Sequence, residues 1–243
     1  MSLHSIKLIT FDATNTLLKF RIPPWQYYTV IAQNYGFVGT EDDVKIKLSD
    51  NIKDMWRKYP NYGKSSITYE KWWSEVVKKT LEDHIPVTTN LDVIASKLID
   101  EYKTSKCWCV AEGGHELLDL IKRSFNVQIG VISNFDPRLN DIFKNLDLDY
   151  KFHFILNSYD VGYSKPDKEI FTSAIKMSKK DIKPYEALHI GDDLEKDYKG
   201  AKAAGWHAIL VNPDETNLPP NSPCVFKSLK DVCTAIKLNQ IAL

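Results

Sequence analysis

The sequence predicts an α/β fold in which a parallel sheet carries helices on both faces and an all-α insertion interrupts it near its start. Two observations point there. From Cys109 onward, helical apolar faces alternate with short apolar strands, the pattern of the units that build parallel sheets. Between residues 21 and 106, apolar residues recur at helical spacing in four successive segments with no strand among them. The expected organisation is therefore a core of residues 1–20 and 107–243 and a helical cap of residues 21–106.

The elements follow in order. Leu8 to Phe11 is a short apolar strand that breaks into a carboxylate, Asp12, and small polar residues suited to a turn. Leu17 to Phe20 can continue as an extended flap before Pro23-Pro24, which cannot sit inside a helix but can begin one. Tyr28, Ile31 and Ala32 mark a first helix that Gly36 ends, and Thr40 with Asp43 starts a second that runs to Arg57. Tyr59 to Thr68 reads as a loop, followed by helices over Tyr69 to Leu81 and Leu91 to Tyr102. Beyond Cys109 come a helix around Leu117 to Phe125, a strand over Val127 to Ile132 and a helix opened by Asp136-Pro137. A strand at Phe154 to Leu156, a helix around Ile170 to Ile175, a strand at Ala187 to Ile190, a helix over Tyr198 to Ala204 and a strand at His207 to Val211 complete the alternation. Asp214 to Pro223 is a polar loop with three prolines, leading to a short strand at Cys224 to Phe226 and a closing helix.

Composition excludes several classes of function. The 243 residues, 43% of them hydrophobic, are ample for a large core. With 32 basic and 32 acidic residues and no dense Lys/Arg run, the chain has no field that would gather nucleic acid or an acidic membrane. The amino-terminal stretch has no apolar core behind a charged region, and no apolar run approaches the roughly 20 residues that span a bilayer. A cytoplasmic protein is the expectation, its four cysteines free thiols, since Cys107-Trp108-Cys109 has the wrong spacing for a zinc or redox pair. Four of the six tryptophans, Trp25, Trp56, Trp72 and Trp73, fall in the insertion, where they suit the core of a small bundle or the roof of a pocket.

Four apolar runs end on residues suited to phosphate chemistry: Asp12 with Thr14 and Thr16, then Ser133-Asn134, then Lys165-Pro166, then Gly191-Asp192-Asp193 with Asp197. In this order they resemble the four motifs of the haloacid dehalogenase-like hydrolase superfamily, from Lys7 to about Val211. Within it, Phe11 to Leu18, Pro60 to Gly63, Trp72-Trp73 and Val131 to Asp136 resemble the rhythmically expressed gene 2 protein group, also called haloacid dehalogenase-like hydrolase domain-containing protein 3. The resemblance implies a Rossmann-like parallel sheet core with an inserted four-helix cap domain, and a phosphatase-type hydrolase.

On that resemblance Asp12 is the candidate nucleophile, attacking phosphorus to give an aspartyl-phosphate that water then hydrolyses. Ser133 and Lys165 would supply donors to the phosphoryl oxygens, with Thr16 and Asn134 as further substrate-binding candidates. Carboxylates gathered in a cleft repel unless neutralised, so the acidic positions imply a hard cation, and magnesium fits best. Asp12, Asp192 and the backbone carbonyl of Thr14 would bind it, with Asp197 orienting a bound water; Asp193 suits either a second ligand or a helix cap. His189 and His207 fall in predicted strands and read as core or edge residues.

Thr14 departs from the family's phosphatase pattern, in which a second Asp two residues after the nucleophile protonates the leaving group and later activates water. A threonine hydroxyl cannot do so at neutral pH, and loss of such help typically costs about 10²–10⁴-fold. The Asp-Ala-Thr-Asn-Thr run is similar to the Asp-Lys-Thr-Gly-Thr of the P-type ion-pumping ATPases, where an aspartyl-phosphate persists. Three readings stand. The first is a magnesium-dependent phosphoryl hydrolase or phosphotransferase acting on a small phosphorylated metabolite, with low activity. The second is a catalytically impaired binding or regulatory protein on the same fold. The third, carbon–halogen hydrolysis, needs no metal, and Asp192 with Asp197 counts against it. Neither substrate identity nor oligomeric state leaves a trace in the sequence.

Overall fold

The structure, a computed structural model, describes residues 3–211, 224–241 and 243. The predicted loop Asp214 to Pro223 lies outside the described residues. The chain divides into two compact units: one of Met1–Lys19, Val110–Asn134 and Asp147–Leu243, the other of Phe20–Cys109 and Phe135–Leu146.

In the first unit, β1 (Leu8–Phe11) is buried along its whole length, as expected of a continuous apolar run covered on both faces. The short strand β2 (Leu18–Phe20) pairs with β3 (Trp108–Val110) in a separate two-stranded sheet. Helices of the second unit intervene: α1 (Pro24–Gln33), α2 (Glu41–Lys58), α3 (Tyr69–Leu81) and α4 (Leu91–Glu101). After α5 (Gly114–Ser124) come β4 (Gln128–Ser133), α6 (Arg138–Asn145), β5 (Phe154–Asn157), the single turn α7 (Ser158–Val161) and α8 (Lys168–Met177). Then follow β6 (Ala187–Gly191), a π-helical turn over Leu194–Lys199 that runs into α9 (Gly200–Ala203), β7 (His207–Val211), β8 (Val225–Phe226) and α10 (Leu229–Lys237).

The main sheet has six parallel strands in the order β5-β4-β1-β6-β7-β8. The chain builds outward from β1 through β4 to β5, then returns to add β6 on the other side, so the strand order reverses about β1. A crevice opens at such a reversal, beyond the carboxyl ends of the strands. Register fixes what lies there: Phe11 is level with Val131 of β4 and with Ile190 of β6. Asp12, Ser133 and Asp192 therefore leave their strands at one edge. Beneath them, Leu8, Ile132, Leu156, Ile170, Phe171 and Trp206 pack in one buried cluster, where each such side chain contributes about 1.5–3 kcal/mol.

The second unit is helical apart from the strand ends at Phe20 and Trp108–Cys109, and its helix starts are legible. Pro24 opens α1, Thr40 and Asp43 form a reciprocal capping box on α2, and Thr68 accepts from the Lys71 N–H at the start of α3. Of its four predicted core tryptophans, Trp72 is fully buried, with its indole N–H donating to Tyr59 O at 3.0 Å; Trp25, Trp56 and Trp73 are half-buried. The unit also contains Phe135–Leu146, hence α6. There the buried Asp136 accepts from the Trp73 indole at 2.8 Å and from Arg138 Nε and Nη2 at 2.9 and 2.7 Å, while the Arg138 guanidinium lies 4.9 Å from the Trp73 ring centre. None of the four cysteines, all among the described residues, is in a disulfide. No helix among the described residues is long and apolar enough to cross a membrane.

Candidate active site

The turn after β1 begins with the Asp12 N–H still in the sheet ladder, donating to Ile190 O at 2.8 Å. Ala13 O then accepts from both Thr16 and Leu18 N–H, at 3.3 and 2.8 Å, and Asn15 takes a left-handed φ of 63° to close the loop. Asp12 is held nearly buried at the sheet edge, with Thr14 half-buried behind it and bridged to Leu18 through its backbone.

Lys165 is the hub of the site. Its ammonium donates to Asp12 Oδ1 at 2.6 Å, to Asp197 Oδ1 at 2.6 Å and to Ile132 O at 2.8 Å, so three acceptors match its three protons. The loop that carries it is gripped by Asn134, whose amide donates to Lys165 O at 2.9 Å and accepts from Lys165 N–H at 2.7 Å. Ser133 donates its hydroxyl to Asp12 Oδ1 at 3.1 Å, and Thr16 donates to Asp192 Oδ1 at 3.2 Å. Asp193 caps the π-helical turn, accepting from Glu195 and Lys196 N–H at 3.0 and 2.9 Å. The sequence predicts a helix only over Tyr198 to Ala204; the turn begins earlier and is wound wider, and it carries Asp197 back toward Asp193 N–H, which donates to Asp197 Oδ2 at 3.0 Å.

The electrostatics follow from burial. Burial pushes the Asp12 carboxyl up to about 7 against the pull of Lys165, with Asp197 and Asp192 pushing the same way. Burial likewise takes Asp192 up to about 6, with Asp197 adding to it. For Asp197 burial is outweighed: Lys165 and His189 hold its carboxyl well below the usual range. Burial opposes the charge of Lys165, but Asp12 and Asp197 keep it protonated above its ordinary value.

Carboxylate oxygens of Asp12, Asp192 and Asp197 lie within 4.8 Å of one another. Once all three are ionised, above about pH 7, three carboxylates against one ammonium leave two uncompensated negative charges in a nearly buried cluster. That donor set, all oxygen and doubly negative, fits a hard divalent cation.

Sequence reasoning assigns His189 to the core, and the ring is indeed fully buried, but its Nε2 lies 3.1 Å from Asp197 Oδ1 and its Nδ1 2.8 Å from the Thr10 hydroxyl. Burial pulls its basicity down, so the ring is neutral. A usable signal was present: in the His189-Ile190-Gly191 strand end the alternate residue toward the turn has no side chain, which leaves room beside the imidazole. His207, by contrast, faces the Tyr185 carbonyl at 3.1 Å.

The family model of haloacid dehalogenase-like hydrolases matches residues 6–205. The chain is 38% identical over 221 residues to the Rhythmically expressed gene 2 protein of Drosophila melanogaster, covering 87% of this chain and 85% of that protein. It is 32% identical over 212 residues to Haloacid dehalogenase-like hydrolase domain-containing protein 3 of Mus musculus, covering 86% and 83%. Among solved structures, YfnB of Bacillus subtilis bound to magnesium aligns with a TM-score of 0.70 at 18% identity, covering 96% of this chain and 99% of that one. A 2-haloacid dehalogenase of Pseudomonas syringae aligns at 0.66 and 22%, covering 96% and 99%. These two likenesses carry the fold. The family match and the relatives carry more, and the chain belongs to the haloacid dehalogenase-like hydrolase family.

Proposed function

We propose that this protein is a magnesium-dependent phosphoryl hydrolase or phosphotransferase that works through an aspartyl-phosphate on Asp12 and turns over slowly. The observation that carries it is the doubly negative cluster of Asp12, Asp192 and Asp197 around a fully engaged Lys165. Asp12, Asp192 and the Thr14 carbonyl would hold the cation, with Asp197 orienting a bound water; when bound, the cation would neutralise charge on the phosphoryl group and the carboxylates.

Asp12 attacks phosphorus with one carboxylate oxygen; that bond forms as the bond to the leaving oxygen breaks, the electron pair going to the leaving group. Ser133 and Lys165, which converge on Asp12 Oδ1, are the donors that would turn to the phosphoryl oxygens as the carboxylate becomes an ester. Water then attacks phosphorus, regenerating the Asp12 carboxylate and releasing phosphate. With threonine at position 14 the leaving oxygen must depart unprotonated, so phosphates with acidic leaving groups are favoured. Asn134 keeps Lys165 aimed, and Thr16 does the same for Asp192.

The test is hydrolysis of p-nitrophenyl phosphate with and without Mg²⁺. Slow metal-dependent turnover that Asp12→Asn abolishes and Thr14→Asp accelerates is the expected result. Metal binding without any turnover in the wild type would replace this reading with that of a binding or regulatory protein, which the threonine at position 14 favours.

A further inference from the structure

We propose that His189 is a positioning residue of this site: its Nε2–H, oriented by the Thr10 hydroxyl on Nδ1, holds Asp197 so that the Lys165 ammonium is shared between Asp197 and the nucleophile Asp12. The inference rests on the proposed function for what is being positioned, and on geometry for the rest.

Thr10 and His189 are directly paired in the β1–β6 register, so their side chains stand next to one another on one face of the sheet. Two residues further along β6, the same face would be filled by the side chain of residue 191, but that residue is glycine, and the Asp197 carboxylate occupies the space. His189 Nε2 and Lys165 Nζ then meet the same oxygen, Asp197 Oδ1, at 3.1 and 2.6 Å.

The proton arrangement follows. An ionised carboxylate oxygen offers only lone pairs, so the ring must present Nε2–H to it, leaving Nδ1 bare. A bare Nδ1 needs a donor, and the Thr10 hydroxyl at 2.8 Å supplies it. Every polar atom of the ring is thereby committed. The ring is also immobile: it is fully buried, with Phe171 edge-on at 5.5 Å. Its ring nitrogens are taken by Thr10 and Asp197 and it is fully buried, so it cannot pass protons to substrate; its effect is on where Asp197 stands. With this donor in place, Asp197 draws less on Lys165, which remains centred between Asp197 and Asp12. Partners of this outer kind are typically worth about 10–100-fold in affinity or rate.

The experiment uses the full-length chain labelled with ¹⁵N in histidine and lysine. Long-range ¹H–¹⁵N spectra of the wild type should show one buried ring protonated at Nε2 and bare at Nδ1, assigned by its loss in His189→Gln. Two variants are then compared. His189→Leu removes the donor, and should displace the Lys165 ammonium resonance and lower kcat for p-nitrophenyl phosphate in Mg²⁺ by about 10–100-fold while KM stays within about threefold. His189→Gln keeps an N–H at the position of Nε2 and should recover both signals, which mere filling of the core would not do. A ring protonated at Nδ1, or a Lys165 resonance in His189→Leu equal to that of the wild type, overturns the proposal. Should the wild type show no turnover at all, the phosphotransfer reading fails, while the ring tautomer and the Lys165 resonance still decide the role of His189.

Discussion

Gly191 and Asp197 occupy the same space: a Cβ built on Gly191 would lie 2.3 Å from Asp197 Cγ and 2.4 Å from its Oδ2. No carbon contact is that short, so any side chain at position 191 must displace the carboxylate. Asp197 cannot yield cheaply, because Lys165, His189 and the Asp193 N–H all hold it. Gly191→Ala should cost about 1–3 kcal/mol by urea unfolding, as overpacking of a tight site does, and weaken Mg²⁺ binding by about tenfold or more by calorimetry. Replacing Asp197 by Gly as well removes the clash, since the Asp197 Cβ too would lie only 2.5 Å away. In that background the added cost of Gly191→Ala should fall toward zero, and an unchanged cost would mean that the strain lies elsewhere.

Metal and protons compete at this cluster, and the sign can be worked out. Burial raises Asp192 to about 6 and Asp12 to about 7, from an ordinary 3.8. A carboxyl raised in the folded state keeps a proton that the unfolded chain has released. Its contribution is therefore fully present below about pH 4 and is lost as pH rises to about 7. Asp197, held low, works in the opposite sense, but its contribution changes only below about pH 4. The metal-free protein should lose stability between about pH 4 and pH 7, and Mg²⁺ should raise the melting temperature more at about pH 8 than at pH 5. An equal rise at both would show that Asp12 and Asp192 do not hold the cation.

Lys165 can be tested through what it leaves behind. Lys165→Met keeps much of the buried volume but removes the partner of two buried carboxylates, Asp12 and Asp197. Breaking one side of a buried ion pair typically costs about 3–5 kcal/mol, and denaturant unfolding of the metal-free variant should show a loss of that order. Saturating Mg²⁺ should recover part of it, since the orphaned charge then has a cation. A variant as stable as the wild type without metal would mean that the two carboxylates are protonated or hydrated there.

What the sequence disclosed, and what it did not, divides by the range of the interaction involved. Leu8–Phe11, a continuous apolar run ending on Asp12, announces a strand covered on both faces and the turn that follows it, because the signal is local. Thr40 with Asp43 marks a helix start for the same reason. By contrast β3 spans three residues, too few for periodicity, and exists because β2 lies beside it. The sequence predicts a helix only over Tyr198 to Ala204; the π-helical winding of Leu194–Lys199, which returns Asp197 to Asp193 N–H, is invisible to a 3.6-residue pattern. The partnership of His189 with Thr10 needed β1 and β6 in register. Likewise, the membership of Phe135–Leu146 in the helical unit rests on contacts such as Asp136 to Trp73, 63 residues apart.

That contact is itself open to measurement. Asp136 is fully buried and accepts from Trp73 Nε1, from Arg138 Nε and Nη2 and from the Arg138 N–H at 3.0 Å, while Arg138 is only 5% exposed. The network is fully satisfied, so the cost of damage depends on what is left unpaired. Trp73→Phe removes one neutral donor and keeps a ring beneath the guanidinium; it should cost about 1–2 kcal/mol. Asp136→Ala strands a buried guanidinium and should cost about 3–5 kcal/mol. Asp136→Ala with Arg138→Leu removes both charges together, and by urea unfolding should be less damaging than Asp136→Ala alone. If the double variant is instead the least stable of the set, the pair contributes net attraction beyond its own desolvation, and the ion pair rather than the surrounding packing holds Phe135–Leu146 in the helical unit.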